Sequence, residues 1–228
     1  MTSEIWGDFW EKKNYEPIVQ NPPRDTYGGT NTEPLASQGM AHFLDPARPV
    51  FKEGVKVLDY GGGAGILGNF ISERLQSFEY FCLEPKGAHG ASRIQIGENL
   101  FKDSRVFFGF IEDDLEFCFT KKPDVIVLIS VFTHLEKQDI EEALSKLHKV
   151  FEYNPACQIV FSCFLGPSYK RLKPEPHIWT RFYGKVILEE SYLKSACIEK
   201  GFSVEKCSAF VAQGGHRHEI FKLTRGIE

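Results

Sequence analysis

The sequence of 228 residues lacks any apolar stretch long enough to cross a bilayer, any charged-then-apolar leader and any lipidation motif, so a soluble, cytoplasmic protein is expected. It also lacks a surplus of positive charge. With 27 basic against 31 acidic side chains, a general nucleic-acid-binding face is not expected. Cys82, Cys118, Cys157, Cys163, Cys197 and Cys207 show no C-x-x-C spacing and mostly stand among apolar residues, which points to buried free thiols rather than a zinc site or a disulfide framework. There is no internal repeat and no low-complexity tract. What remains is a chain of the size of one domain with an elaboration, or at most two small ones, with enough apolar residues for a full core.

The richest stretch is Val55-Lys-Val-Leu-Asp-Tyr-Gly-Gly-Gly-Ala-Gly-Ile-Leu-Gly68. Val55, Val57 and Leu58 make a short β-prone run, and Gly61, Gly62, Gly63 and Gly65 allow a sharp turn that a ligand can approach closely. Ile66, Leu67, Phe70, Ile71 and Leu75 then recur at helical spacing. A strand that breaks into glycines and restarts as a helix presents unpaired backbone N–H groups to a nucleotide-like ligand. Gly63-Ala-Gly-Ile-Leu-Gly68 matches the dinucleotide pattern G-x-G-x-x-G, with Glu84 following at about 20 residues to take a ribose. On that match alone, a nicotinamide-dependent oxidoreductase is one reading.

Asp59-Tyr-Gly61-Gly-Gly63-Ala-Gly65 also resembles the D-x-G-x-G-x-G signature of class I S-adenosylmethionine-dependent methyltransferases. In a dehydrogenase the first glycine normally follows the strand directly, whereas here an aspartate and a tyrosine intervene, so the methyltransferase resemblance fits better. It continues through Phe78-Glu-Tyr-Phe-Cys-Leu83, a second strand ending at Glu84, and through Asp124–Ser130, a fourth strand followed by Val131-Phe-Thr-His-Leu135. The similarity covers residues 51 to 228. It implies S-adenosyl-L-methionine as cofactor, held by Asp59, Gly61, Gly63, Gly65, Glu84, Glu112 and Ser130. Phe110 occupies the position where relatives often carry the acid that reads the adenine, so Glu112 or backbone groups take that role.

The order of elements agrees with a Rossmann-like, doubly wound α/β fold, a seven-stranded sheet whose last strand is antiparallel, preceded by an N-terminal cap segment. A third strand is expected over Arg105 to Phe110 and a fifth over Gln158 to Cys163. Ile140, Leu144, Leu147 and Phe151 mark one face of a helix, and Thr133-His-Leu-Glu136 has the spacing of a capping box that starts it. Leu193, Ala196 and Cys197 mark another helix, closed by Gly201. Strands over Phe202 to Phe210 and Glu219 to Leu223 are joined by Gly214-Gly-His-Arg-His218.

Two regions stand outside this pattern. Residues 1–50 carry Ile5, Trp6, Phe9 and Trp10 at the spacing of a helix that packs on the core, then the polar, glycine-rich Arg24–Thr32, which includes Tyr27. In relatives such a segment closes over cofactor and substrate, so it reads as a lid. The connection after strand five, residues 164–187, emerges at the strand edge where open α/β sheets bind ligands. It holds Tyr169, Arg171, His177, Trp179 and Arg181, a mixture suited to an anionic or phosphorylated acceptor or to a sugar stacked on Trp179. An ordinary solvated loop is the plain alternative.

A sulfonium is already a good leaving group, so alignment and exclusion of water can carry much of the catalysis. A hydroxyl acceptor also needs a base. His134 is one candidate, unless it merely packs at the second position of the helix capped by Thr133, and His177 is its rival. His216 is placed to touch substrate. His216-Arg-His218 resembles a two-histidine metal spacing, but a hairpin turn explains it, and strand four ends in Ile129-Ser130 without a carboxylate. No metal is expected. The sequence thus points to methyl transfer onto an oxygen or nitrogen of a small molecule such as a sugar, a nucleotide sugar or a natural-product intermediate. A silent S-adenosylmethionine-binding module serving a partner protein is the third reading. Oligomeric state is not encoded in any motif.

Overall fold

In the computed structural model the described residues are 50–111, 116–172, 185–211 and 217–226. Strand β1 (Val55–Tyr60) leads through the glycine turn into helix α1 (Ile66–Ser72), then β2 (Phe78–Glu84), α2 (Ala88–Leu100), β3 (Val106–Phe110), α3 (Glu116–Lys121) and β4 (Val125–Leu128). Helix α4 (Lys137–His148) runs on as a 3-10 turn (Lys149–Glu152) into β5 (Gln158–Leu165). The chain then makes β6 (Lys170–Leu172), β7 (Lys185–Leu188), α5 (Glu190–Glu199), β8 (Phe202–Val211) and β9 (Arg217–Arg225).

The central strands run parallel in the order β3-β2-β1-β4-β5, and β9 pairs antiparallel with β5 and carries β8 on its far side. This is the doubly wound α/β architecture expected. Strands buried on both faces read as continuous apolar runs, and β4, Val125-Ile-Val-Leu128, is buried at every position. On one face Leu58, Phe81, Ile126 and Phe161 pack with Ile140, Leu144 and Leu147 of α4 and with Leu193, Ala196 and Cys197 of α5. On the other, Val55, Val57, Tyr80, Cys82 and Val127 pack with Leu67 and Ile71 of α1. Five cysteines are buried and Cys207 is half-buried, all free.

Among the described residues the sheet has nine strands, two more than the seven expected. The additions, β6 and β7, lie within the connection expected to be loop. They are too short, and too mixed in polarity, to show a two-residue period in sequence. They form an antiparallel pair, and β7 pairs with the end of β5 through Phe164↔Ile187. Phe164 also pairs with His218 of β9, so β7 takes the other side of β5, beyond the point where β4 stops at Leu128↔Phe161.

Two further expectations are corrected. Thr133 does not cap α4: that helix starts at Lys137 with Glu136 in the cap position, while the Thr133 hydroxyl turns back to the Ser130 carbonyl at 2.6 Å. Hence His134 lies in a turn between β4 and α4 and not inside the helix. His218 belongs to β9 and not to the hairpin turn, because β9 begins at Arg217. Its side chain is buried, and His216 lies outside the described residues. No helix among the described residues is long and apolar enough to cross a membrane.

Candidate active site

Side chains alternate across a strand, so Val55, Val57 and Asp59 point to the face covered by α1. Strand β2 lies in register beside β1, Val57 opposite Tyr80 and Asp59 opposite Cys82, which puts Tyr80, Cys82 and Glu84 on that same face. Two carboxylates are thereby gathered under the glycine turn, Asp59 at 4% exposure and Glu84 at 6%. Buried polar groups of this kind require partners. The Tyr80 hydroxyl donates to Asp59 Oδ2, the Gly63 N–H donates to Glu84 Oε1 at 2.5 Å, and Cys82 Sγ lies 3.5 Å from the Gly63 carbonyl.

Burial pushes the Asp59 carboxyl up to about 7, with the Tyr80 hydrogen bond opposing the shift and the neighbouring Glu84 adding to it. Glu84 is raised by the same desolvation, held back by the Gly63 amide and by Arg93. Tyr80 and Cys82 both sit well above their ordinary values, first through burial and then through the Asp59 charge. Tyr80 therefore keeps its proton and is the donor to Asp59.

The turn itself requires glycine for two reasons. Gly63 has φ +65°, a conformation that favours glycine, and among the described residues a Cβ there would meet nothing within 4 Å. Gly62 has no such freedom: a Cβ would fall 2.6 Å from Asp59 Cγ and 2.8 Å from Cys82 Sγ. A Cβ on Gly68, in α1, would stand 2.6 Å from the Tyr80 ring. The third glycine of the dinucleotide-like string thus serves the packing of α1 over Tyr80.

After β4 the chain turns at Ser130, a non-glycine residue at φ +61°. Both of its backbone polar groups are held by hydroxyls: the N–H donates to Ser162 Oγ at 2.9 Å, and the carbonyl accepts from Thr133. Ser162 lies 3.3 Å from His218 Nδ1. The turn abuts the glycine loop, since a Cβ on Gly61 would be 3.0 Å from Val131 Cγ2. His134, half-buried, follows two residues after Phe132 and donates its N–H to the Val131 carbonyl at 3.0 Å.

The β6–β7 pair docks on the same turn. The Val186 N–H donates to the Thr133 carbonyl at 2.7 Å, and Glu136 accepts from both the Tyr169 hydroxyl and the Arg171 guanidinium. Asp59, Gly61, Gly63, Gly65, Glu84, Ser130 and His134 accordingly sit at the C-terminal ends of β1, β2 and β4, with Tyr169 and Arg171 anchored by Glu136 beside them. Tyr27, Glu112, His177, Trp179, Arg181 and His216 lie outside the described residues. Sequence reasoning passed over Tyr80 and Ser162. Each is a polar group embedded in an apolar strand, and that pattern was their available signal. Among the described residues no three His, Cys, Asp or Glu side chains are grouped to hold a metal.

Comparison with known proteins bears on this geometry. The methyltransferase domain family matches residues 35–206. No curated protein matches significantly. Among solved structures, magnesium protoporphyrin IX methyltransferase from Synechocystis PCC 6803 with bound S-adenosylhomocysteine superposes with a TM-score of 0.64 at 12% identity, over 98% of this chain and 99% of that one. The N-terminal domain of EvdMO1, crystallised in the presence of S-adenosylhomocysteine and D-fucose, gives 0.60 at 13% identity, over 94% and 98%. Haemonchus contortus phosphoethanolamine N-methyltransferase 2, in complex with phosphomonomethylethanolamine and S-adenosylhomocysteine, gives 0.65 at 12% identity, over 97% of this chain and 60% of that one. The two cofactor readings left open by the glycine turn are thereby separated: this chain belongs to the methyltransferase domain family and has the class I, S-adenosylmethionine-dependent methyltransferase fold.

Proposed function

We propose that this chain transfers the methyl group of S-adenosylmethionine to an oxygen or nitrogen of a small molecule, with a sugar, nucleotide sugar or natural-product intermediate as the acceptor class. The observation that carries the reading is the carboxylate pair beneath the glycine turn. Glu84 is fixed by the Gly63 amide through Oε1, and among the described residues Oε2 accepts no hydrogen bond, which suits a ribose diol. The open side of Gly63 suits a ligand laid across the turn. When bound, the cofactor supplies an activated methyl on a sulfonium. The protein's part is then to orient and to exclude water.

Asp59, Gly61, Gly65 and Ser130 complete the cofactor cradle in this reading, and Glu112 adjoins the adenine. Residues 1–50, with Tyr27, act as a lid. The connection 164–187 supplies Tyr169, Arg171, Trp179 and Arg181 to the acceptor, with His216 nearby. The neighbouring proteins named above include one studied with D-fucose and one with a phosphoamine, which supports a small polar acceptor without selecting it. For a hydroxyl acceptor, His134 on the post-β4 turn is the base, and His177 is the alternative.

Calorimetric titration with S-adenosylhomocysteine and with NAD tests the cofactor; binding of NAD alone would sink the proposal. Single-turnover methyl transfer across a panel of sugars, nucleotide sugars and phenols tests the acceptor. With an acceptor in hand, His134→Ala should slow transfer by about 100- to 10,000-fold while cofactor affinity stays nearly intact. An undiminished rate would make His134 a packing residue, and binding without any transfer would favour a silent partner subunit.

A further inference from the structure

Tyr80 is given no role in the motifs considered above, yet it is fully buried and its hydroxyl donates to the Asp59 carboxylate near the end of β1. Its ring lies under α1 at the one place where that helix carries Gly68, and a methyl group there would collide with the ring at 2.6 Å. Among the described residues the groups facing Asp59 are few. From β2 come Tyr80, Cys82 and Glu84; from β4 comes the apolar Val127, opposite Asp59 in register; from the turn comes Gly62, too close to carry a side chain. Arg93 acts on Glu84. Among the described residues Tyr80 is thus the side-chain hydrogen-bond donor to Asp59, and no cation acts on that carboxylate.

We propose that Tyr80 is a positioning residue for cofactor binding, holding Asp59 as an oriented acceptor beneath the glycine turn. This rests on the cofactor reading above. A carboxylate buried without a cation stays charged only if hydrogen bonds to its oxygens replace water, and a phenol that cannot itself ionise is a durable donor. The burial that pushes Asp59 upward and the Tyr80 bond that opposes it are consistent with this balance. Removing the hydroxyl shifts the balance toward the protonated acid, which no longer accepts charge-assisted hydrogen bonds from a bound cofactor.

The test is Tyr80→Phe, which keeps the ring that packs on Gly68. Affinity for S-adenosylhomocysteine is measured by calorimetry from pH 6 to 9, alongside thermal melting, in wild type, Tyr80→Phe, Asp59→Asn and the double variant. The expected result is a loss of about 5- to 10-fold at neutral pH for Tyr80→Phe that recovers as pH rises, with the affinity profile displaced upward by about one unit. In the Asp59→Asn background Tyr80→Phe should no longer displace the profile and should add little to the loss. A loss equal at all pH values, or one that persists unchanged in Asp59→Asn, would make Tyr80 a packing residue and overturn the inference. If wild type itself does not bind S-adenosylhomocysteine, it is the cofactor reading that fails.

Discussion

Glu84 shows how much a single side chain decides here. Its carboxylate closes the glycine turn by taking the Gly63 amide, so it shapes the protein's half of the site before any ligand arrives. Glu84→Ala should therefore weaken S-adenosylhomocysteine binding by about 10- to 150-fold, the worth of roughly 1.5–3 kcal/mol of charge-assisted hydrogen bonding. Calorimetry on a folded variant decides it, and unchanged affinity would remove Glu84 from the site. Asp59 and Glu84 were both legible in sequence because each places an acid at or one residue before the end of an apolar strand. Tyr80 was not, since a phenol within Phe78-Glu-Tyr-Phe-Cys-Leu83 reads as one more core aromatic until the register with β1 is known.

At the scale of elements, strands β1, β2, β4 and β5 and helices α4 and α5 follow from apolar periodicity, because packing on both faces of a parallel sheet leaves that imprint. Three features escaped it. Strands β6 and β7 owe their existence to partners distant in sequence, Thr133 served its own turn instead of capping α4, and β9 began two residues before the strand its pattern suggested. The post-β4 turn illustrates the cost of such long-range dependence. Ser130 holds a left-handed conformation that costs a non-glycine residue on the order of 1 kcal/mol or more, and it is kept there by Ser162 and Thr133. Ser162→Ala leaves the Ser130 N–H without its acceptor, and a destabilisation of about 1–3 kcal/mol is expected. Chemical denaturation measures it; a change under about 0.5 kcal/mol would show that the turn holds without the clamp.

For the whole molecule, buried acids set the pH dependence of stability. Burial raises Asp59 from 3.8 to about 7 and raises Glu84 as well. Between the unfolded value and about 7 the folded protein retains a proton that the unfolded chain has lost, so rising pH favours unfolding across this window. Stability from Asp59 is fully present below about 4 and is lost by about 7. Asp103, lowered by its hydrogen bonds to Arg105, and Glu190, lowered by Lys194 and Lys206, act with the opposite sign at lower pH. The ligand-free protein should accordingly melt at lower temperature at pH 8 than at pH 5. Asp59→Asn should flatten that slope and raise the melting temperature at pH 8 by roughly 2–8 °C. Differential scanning calorimetry across pH checks both, and a slope that Asp59→Asn leaves intact would assign it to other groups.

The paired strands β6 and β7 have a consequence for how such a chain can change over evolutionary time. Leu172 and Lys185 stand opposite each other, so the two ends of the intervening sequence are joined to neighbouring points of a fixed frame. That frame is bolted to the post-β4 turn by the Val186 amide and by Glu136. Lengthening a loop whose ends are already closed costs only a logarithmic entropy, about 0.6 kcal/mol for each doubling. The stretch between the two strands is therefore a cassette: it can be rewritten, extended or exchanged with another sequence while Asp59, Glu84 and the glycine turn remain undisturbed on the far side of β4.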